Sequence, residues 1–299
     1  MNNLSPHAKG LLITTLGVLV LTPDSLLIRL VSADAWTLTF WRGVLYGIGM
    51  SVAVAVLFRG RVRQQFLALG WAGLLIAVIF GIGKVTFIVS ITNTTAANTL
   101  FIVSTSPLFA AVAAWLLMRE PVARQTWLAI GFALVGIGII ASDGADQGGV
   151  IGNVAALLTA IVLGACFAMT RRYRERNVVP AMALSGIISA LLVLPVASPL
   201  SVASSDIAAL GVMGLVVLPL SFGLIFLGPR YIPAPEVSLV LLLEAVLGPW
   251  WVWLALGEEP SARTLVGGTV VLATLAFHSA LRLAGGVRGR AAVPVTSEN

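Results

Sequence analysis

Five ionisable side chains lie inside long apolar runs of this 299-residue chain: Asp24, Arg42, Lys84, Glu244 and His278. A charge at the centre of a bilayer costs about 2.5–3.5 kcal/mol even on lenient insertion scales, so each such group implies a function or a partner. Their types narrow the chemistry. There is no His-Glu-x-x-His pattern and no pair of neighbouring Asp residues, and of the two His the other, His7, lies near the start. An enzyme built on a nucleophile with its base, or on metal ligands, finds no residues here. The single Cys166 sits in an apolar run, which excludes an internal disulfide and a thiolate metal site. No cofactor and no metal are expected. What remains is recognition of charge: two bases for an anion, and two carboxyl groups for an ammonium group or a proton.

Helical spacing groups these residues with polar and aromatic neighbours. Arg42 and Tyr46 fall one turn apart on a face that continues to Gly49; Asn98, Ile102 and Thr105 share a second; Glu244, Gly248 and Trp251 share a third. With Lys84 these faces give the substrate-binding candidates Arg42, Tyr46, Lys84, Asn98, Thr105, Glu244 and Trp251. Glu244 and Asp24 are the candidates for coupling to protons. Two other readings stay open at this point: Arg42 snorkels to the headgroups, and Lys84 with Asp24 forms a purely structural ion pair. Trp36, Trp41, Trp250, Trp251 and Trp253 fall towards one side, as an interfacial belt does, with one or two of them facing solute. Pro23, Pro107, Pro195, Pro219 and Pro249 mark kinks, hinges or cavity walls.

The elements that must position these groups follow from composition. With 59% hydrophobic residues, 10% charged residues and a mean hydropathy of +1.02, the chain reads as an all-α integral membrane protein. Its apolar runs predict ten spans, at residues 10–30, 35–58, 66–90, 94–118, 125–142, 150–170, 180–198, 207–228, 234–256 and 264–283, the fifth being the shortest for a crossing. Runs of this length are helices, since a barrel strand needs half as many residues. Gly43, Gly47 and Gly49 on the second span, and Gly131, Gly136 and Gly138 on the fifth, predict close helix packing. The basic pI does not imply nucleic acid, because the cationic residues sit in short loops between apolar runs.

Fourteen of the eighteen Lys and Arg fall at the termini or in loops that follow even-numbered spans, against Arg29 and Arg263 alone after odd-numbered ones. The positive-inside rule then places both termini in the cytoplasm. Glu120-Pro121-Val122-Ala123-Arg124 returns as Glu259-Pro260-Ser261-Ala262-Arg263, close to half the chain further on, and Gly10 and Arg29 pair with Gly152 and Arg171 at a similar separation. This is the mark of a duplicated unit. The units are 10–142 and 150–283, flanked by a cytoplasmic N-terminus at 1–9 and a cytoplasmic tail at 284–299. Five spans per unit is an odd number, so the second copy is inverted. Inverted repeats are characteristic of secondary transporters, in which one unit rocks against the other to alternate access to a site near the midplane.

The Leu-Leu-Met-Arg-Glu120-Pro121 turn, its echo Leu-Gly-Glu-Glu259-Pro260, Phe40-Trp41-Arg42 and Ser106-Pro107 together resemble the EamA-type ten-helix branch of the drug/metabolite transporter superfamily. The resemblance covers residues 10–283 and departs from the family where Glu244 is followed by Ala245 rather than proline. It implies a multi-pass carrier of the bacterial inner membrane for small organic solutes, with bacterial amino-acid exporters among its relatives. The expected partners are a small-molecule solute, the bilayer and protons, with no nucleic acid, and the expected state is a monomer. A pore-type channel and a non-transporting receptor are the competing classes.

Overall fold

The structure is a computed structural model that describes residues 5–58, 61–119, 122–144, 149–173, 178–228, 231–232 and 234–291. Every regular element among them is helical. The first span is α1 (Pro6–Leu21) followed by α2 (Asp24–Leu30); the second is α3 (Ala35–Phe58). A short α4 (Val62–Leu67) precedes α5 (Gly70–Asn93), so the third span starts four residues later than the apolar run suggests. The turn between them needs a left-handed residue, which Gly70 supplies at φ +56°. The fourth span is α6 (Ala96–Val103) with α7 (Ser106–Met118), the fifth α8 (Arg124–Gly144), the sixth α9 (Val150–Arg172) and the seventh α10 (Val179–Val193). The eighth joins α11 (Asp206–Gly211) to α12 (Leu218–Leu227) through a π-helical turn at Val212–Val217; α13 (Ala234–Leu256) and α14 (Ala262–Ala291) complete the bundle. Among the described residues, eight of these segments are long and apolar enough to cross a membrane, and Val179–Val193 and Val240–Leu256 are shorter apolar helices. The side chains of the bundle's outer surface are apolar too, with Val56, Leu128, Leu191 and Phe277 exposed as a lipid-facing layer requires.

Local chemistry sets the ends and breaks. Ser5 caps α1 by accepting from the Ala8 N–H with Pro6 as first helical residue, and Thr95 caps α6 by accepting from Asn98. Pro23 has no N–H to continue α1, so the first span restarts at Asp24; the fourth restarts at Ser106-Pro107 for the same reason. Pro249 is accommodated inside α13. The expected close packing by glycine holds at three crossings: Gly49 of α3 meets α12, where a Cβ would fall 2.5 Å from Pro219 Cγ, and the other two are pairs of glycines. Gly43 and Gly186 bring α3 and α10 together, where a Cβ on either would fall 2.5–2.6 Å from the other's carbonyl oxygen, and Gly136 meets Gly267 in the same way between α8 and α14. Gly131 and Gly138 have open space beside them instead.

The main helix contacts pair α1 with α12 and α13, α9 with α5 and with α6 and α7, α5 with α10, α3 with α10 and with the π-helical turn of the eighth span, and α8 with α14. Replacing each span by the one five places on maps this set onto itself. Gly10 and Gly152 share the pattern: a Cβ on Gly10 would strike the Cβ of Tyr231 at 2.6 Å, and one on Gly152 the Cβ of Thr94 at 2.7 Å, each at the turn between the third and fourth spans of the opposite half.

The turns after odd-numbered spans converge at one end. Arg29 pairs with Glu258 at 3.3 Å and donates to the Thr94 carbonyl at 2.6 Å, while Glu258 accepts the Ala96 N–H at 2.8 Å. Asp206 accepts from the Ser32 N–H and hydroxyl at 3.0 and 2.8 Å, Thr94 donates to Asn153 at 3.2 Å, and Arg263 donates to the Ser142 carbonyl at 3.3 Å. The repeated Glu-Pro turn is seen in its second copy, where Glu259 accepts from Trp253 Nε1 and Ser261 accepts from the Thr264 N–H. Glu120 and Pro121 of the first copy lie outside the described residues, as do Arg59, Arg174, Arg176 and Arg230 and the side chain of Arg171.

Candidate solute-binding cavity

The bundle holds a partly open cavity of about 130 Å³ between the two halves of the chain. A cavity of about 150 Å³ in a soluble protein takes up benzene, so the space suits a small organic molecule. Its walls come from α1 and α2, α3, α5, α6 and α7, α9, α12 and α13. The breaks in the first and fourth spans lie against it, with Asp24 on one side and Ser104, Ser106 and Pro107 on the other. Irregular backbone at membrane depth is tolerated where it lines such a space.

Four of the five embedded ionisable groups meet here: Asp24, Arg42, Lys84 and Glu244 all line the cavity. Asp24 and Arg42 form an ion pair, and their residues are only 3% and 7% exposed. Arg42 therefore does not snorkel to the headgroups; its guanidinium turns inward, 5.5 Å from the centre of the Phe87 ring. Nor does Asp24 pair with Lys84. Asp24 Oδ1 and Arg42 Nε keep no hydrogen-bond partner among the described residues. His278 lies away from this group, with Nε2 2.9 Å from the Thr126 hydroxyl.

Lys84 is held by rings. Its Nζ stands 3.4 Å from the centre of Tyr46, 4.8 Å from Phe80 and 5.5 Å from Phe222, within the range of cation–π attraction. The rings brace each other edge to face: Phe222 lies 6.0 Å from Tyr46 at 79° and 5.7 Å from Phe80 at 86°. Tyr46 is fully buried behind Lys84 rather than on the cavity wall, and its hydroxyl has no partner among the described residues. Gly186 makes room for it, since a Cβ there would meet Tyr46 Cδ1 at 3.0 Å.

The remaining candidates sit elsewhere. Asn98 accepts from the Thr264 hydroxyl at 2.7 Å and donates to Thr94 at 3.1 Å, joining α6 to α14. Thr105 is buried with its hydroxyl on the Ile102 carbonyl, where it closes the break between α6 and α7. Trp251 donates to the Thr22 hydroxyl at 3.1 Å and is partly exposed, and Trp41 donates to the Pro199 carbonyl. The rings that line the cavity are instead Phe80, Phe87, Phe167, Phe222 and Phe226. The sequence carries the signal for them: Phe80, Lys84 and Phe87 share one face of α5, and Phe222 and Phe226 lie one turn apart on α12.

Comparison with known proteins decides the family. The model of the EamA-like transporter family matches residues 8–142 and again residues 150–280. The chain belongs to the EamA-like transporter family. Among relatives of this EamA-like protein, "Uncharacterized transporter YdfC" of Bacillus subtilis (strain 168) is 27% identical over 184 residues, 59% of this chain. The match spans about 60% of that relative's length. A solved crystal structure of a protein 17% identical in sequence superposes over 92% of this chain and 98% of its own with a TM-score of 0.66, which fixes the fold as one seen before. The protein is thus a multi-pass membrane transporter of an established family.

Proposed function

We propose that this protein is a secondary carrier that exports amino acids or related metabolites by alternating access, and that the cavity between its halves is the solute site. The observation that carries this reading is the arrangement of charge: Asp24 consumes Arg42, while Lys84 faces the cavity with no ion-pair partner among the described residues and Glu244 faces it from α13. A carboxylate is the natural partner for Lys84, and an ammonium group for Glu244. Two of the wall hydroxyls, Ser104 and Thr159, are spent on backbone carbonyls, and five phenylalanines supply the rest of the surface, which favours an amphipathic metabolite over a sugar.

The double family match, the self-mapping of the helix contacts and the shared environment of Gly10 and Gly152 support two five-span repeats, inverted because five is odd. The excess of Lys and Arg at the even turns supports placing both termini in the cytoplasm, and we propose that the protein is a monomer of the inner membrane. Cysteines at Ala123 and Ala262, with Cys166 replaced by serine, then label from opposite sides of the membrane.

The deciding experiment is counterflow into proteoliposomes with amino acids and their amides. Saturable counterflow establishes a carrier over a channel or receptor. Lys84→Met should lower affinity for carboxylates about tenfold more than for amides, and Glu244→Gln should abolish proton-driven accumulation while sparing exchange. Equal losses for acid and amide would remove Lys84 from the solute site.

A further inference from the structure

The Lys84 ammonium occupies an arrangement that elsewhere binds free cations. Quaternary ammonium ligands are recognised by several aromatic faces closing around one positive centre, and here Tyr46, Phe80 and Phe222 do this from three different helices, α3, α5 and α12. The rings are fixed independently of the lysine. Tyr46 is wedged against Gly186 of α10, and Phe222 is held edge-on between Tyr46 and Phe80. The cation is also not held there by a carboxylate, because the nearby Asp24 is engaged by Arg42.

We infer that Tyr46, Phe80 and Phe222 form a seat for a small organic cation, which this protein keeps filled with its own Lys84, so that Lys84 sets the charge of the solute the cavity accepts. With Lys84 present the seat is taken and the cavity carries a second positive centre beside Arg42. Without it the seat empties towards the cavity, and the charges left are the Asp24–Arg42 pair and Glu244, a set with no excess of positive charge. The same walls would then hold a cation. This inference rests on the cavity being the solute site, and it is tested by binding, which does not depend on transport in any direction.

The test is equilibrium binding of tetramethylammonium to the purified full-length protein in detergent, with tert-butanol as a neutral molecule of similar shape. Lys84→Ala should bind tetramethylammonium saturably and leave tert-butanol unbound, while the wild type binds neither. Adding Tyr46→Leu to Lys84→Ala should weaken binding about tenfold or more, since the closest ring is lost. Should Lys84→Ala not fold alone, tetramethylammonium in the purification buffer should restore it by refilling the seat. A folded Lys84→Ala that does not bind the cation, a wild type that binds it equally well, or an unfolded variant that the cation does not rescue would each overturn the inference. Loss of counterflow in the wild type with cation binding intact in Lys84→Ala would count against the carrier reading alone.

Discussion

At the end of the bundle formed by the odd turns, Arg29, Ser32, Thr94, Arg263 and their partners Glu258, Asp206, Asn153 and Ser142 tie the first half of the chain to the second. At the even end, the described residues show Lys9 against the Tyr231 ring at 5.2 Å and Arg172 donating to the Leu117 carbonyl. The charge of the turns also differs between the two ends, in the sequence itself. Odd turns hold two bases, Arg29 and Arg263, and six acids, Asp34, Asp143, Asp146, Asp206, Glu258 and Glu259, so opposite charges are available to pair. Even turns and termini hold fourteen bases against four acids, and surplus like charges cannot cross-link each other. The positive excess that orients a membrane chain thus also leaves that end with fewer ways to close through ion pairs. Beneath the tied end lie the Asp24–Arg42 pair and the Ser25 hydroxyl, which donates to the Gly248 carbonyl at 3.2 Å, so the cavity is roofed on the odd side by polar contacts between spans.

The contrast is broken most severely by attacking that roof. Asp24→Asn leaves the Arg42 guanidinium buried without a carboxylate, and removing one partner of a buried pair costs about 3–5 kcal/mol. Thermal or denaturant unfolding of the purified protein in detergent should show that loss. Pairing Asp24→Asn with Arg42→Gln removes the stranded charge and should restore most of the stability. A single mutant within about 1 kcal/mol of the wild type would mean that Arg42 finds another counter-charge, and the roof would have to be assigned elsewhere.

Most of the helices are legible in the sequence, and four of the eight candidate site residues reach the cavity, for identifiable reasons. Hydropathy runs locate membrane helices because lipid forces every backbone group to bond within its own segment, so eight of the expected spans fall, with shifts of a few residues, on helices long and apolar enough to cross, and the seventh and ninth fall on shorter apolar helices. Embedded charges are legible for the same reason: hydrocarbon makes them costly, and Asp24, Arg42, Lys84 and Glu244 all reach the cavity. Their pairing was not legible. Asp24 and Arg42 sit in different helices, and nothing in the run of residues says that the break at Pro23 and the packing of α2 against α13 and α11 leave Asp24 beside Arg42 rather than Lys84. Asn98 and Thr105 shared a polar face, but α6 packs against α13 and α14, so the first is spent on Thr264 and the second on the helix break. The phenylalanines are legible only through their helical spacing, beside Lys84 on α5 and one turn apart on α12, because an apolar ring in an apolar run carries no contrast in hydropathy, whereas Trp251 stands out in the sequence and serves as a donor to Thr22.

A milder cut sharpens the comparison between the two ends. Glu258→Gln removes the ion pair with Arg29 and weakens the acceptor for the Ala96 N–H, at a site about one quarter exposed. Charge-assisted hydrogen bonds of this kind contribute about 2 kcal/mol, less what solvent screening takes away. The expected loss is about 1 kcal/mol, together with greater reactivity of a cysteine placed at Ala33 in a Cys166→Ser background as the odd turns separate more often. Arg172→Ala at the even end should cost less, because its single bond to the last turn of α7 is exposed. Equal effects of the two substitutions would show that the number of side-chain ties does not distinguish the ends.

The smallest contrast is the pH dependence of the helix caps, which separates the ends by pH rather than by size. Asp34 opens α3 at the odd end, its Oδ1 accepting from the N–H groups of Trp36 at 2.9 Å and Thr37 at 3.1 Å. The Thr37 side chain is the largest cause and, with these backbone donors, holds the Asp34 carboxyl below its ordinary 3.8, against burial, whose opposing contribution ranks second. A carboxyl whose value is lower in the folded state stabilises fully above its unfolded value and loses that contribution as pH falls through the folded one. The stability that Asp34 supplies should therefore be flat near neutrality and fade only below about pH 4. Asp34→Ala should cost about 1 kcal/mol at pH 7, as lost caps do, and less at pH 3. Asp34→Asn keeps a good cap without the charge, so it should match the wild type near neutrality within a few tenths of a kcal/mol and lose this part of the acid dependence. At the even end Ser5 caps α1 through an uncharged hydroxyl, and the cost of Ser5→Ala should be the same at both pH values. If Asp34→Ala and Ser5→Ala respond alike to pH, Asp34 holds α3 by shape alone and its charge adds nothing to the tied end.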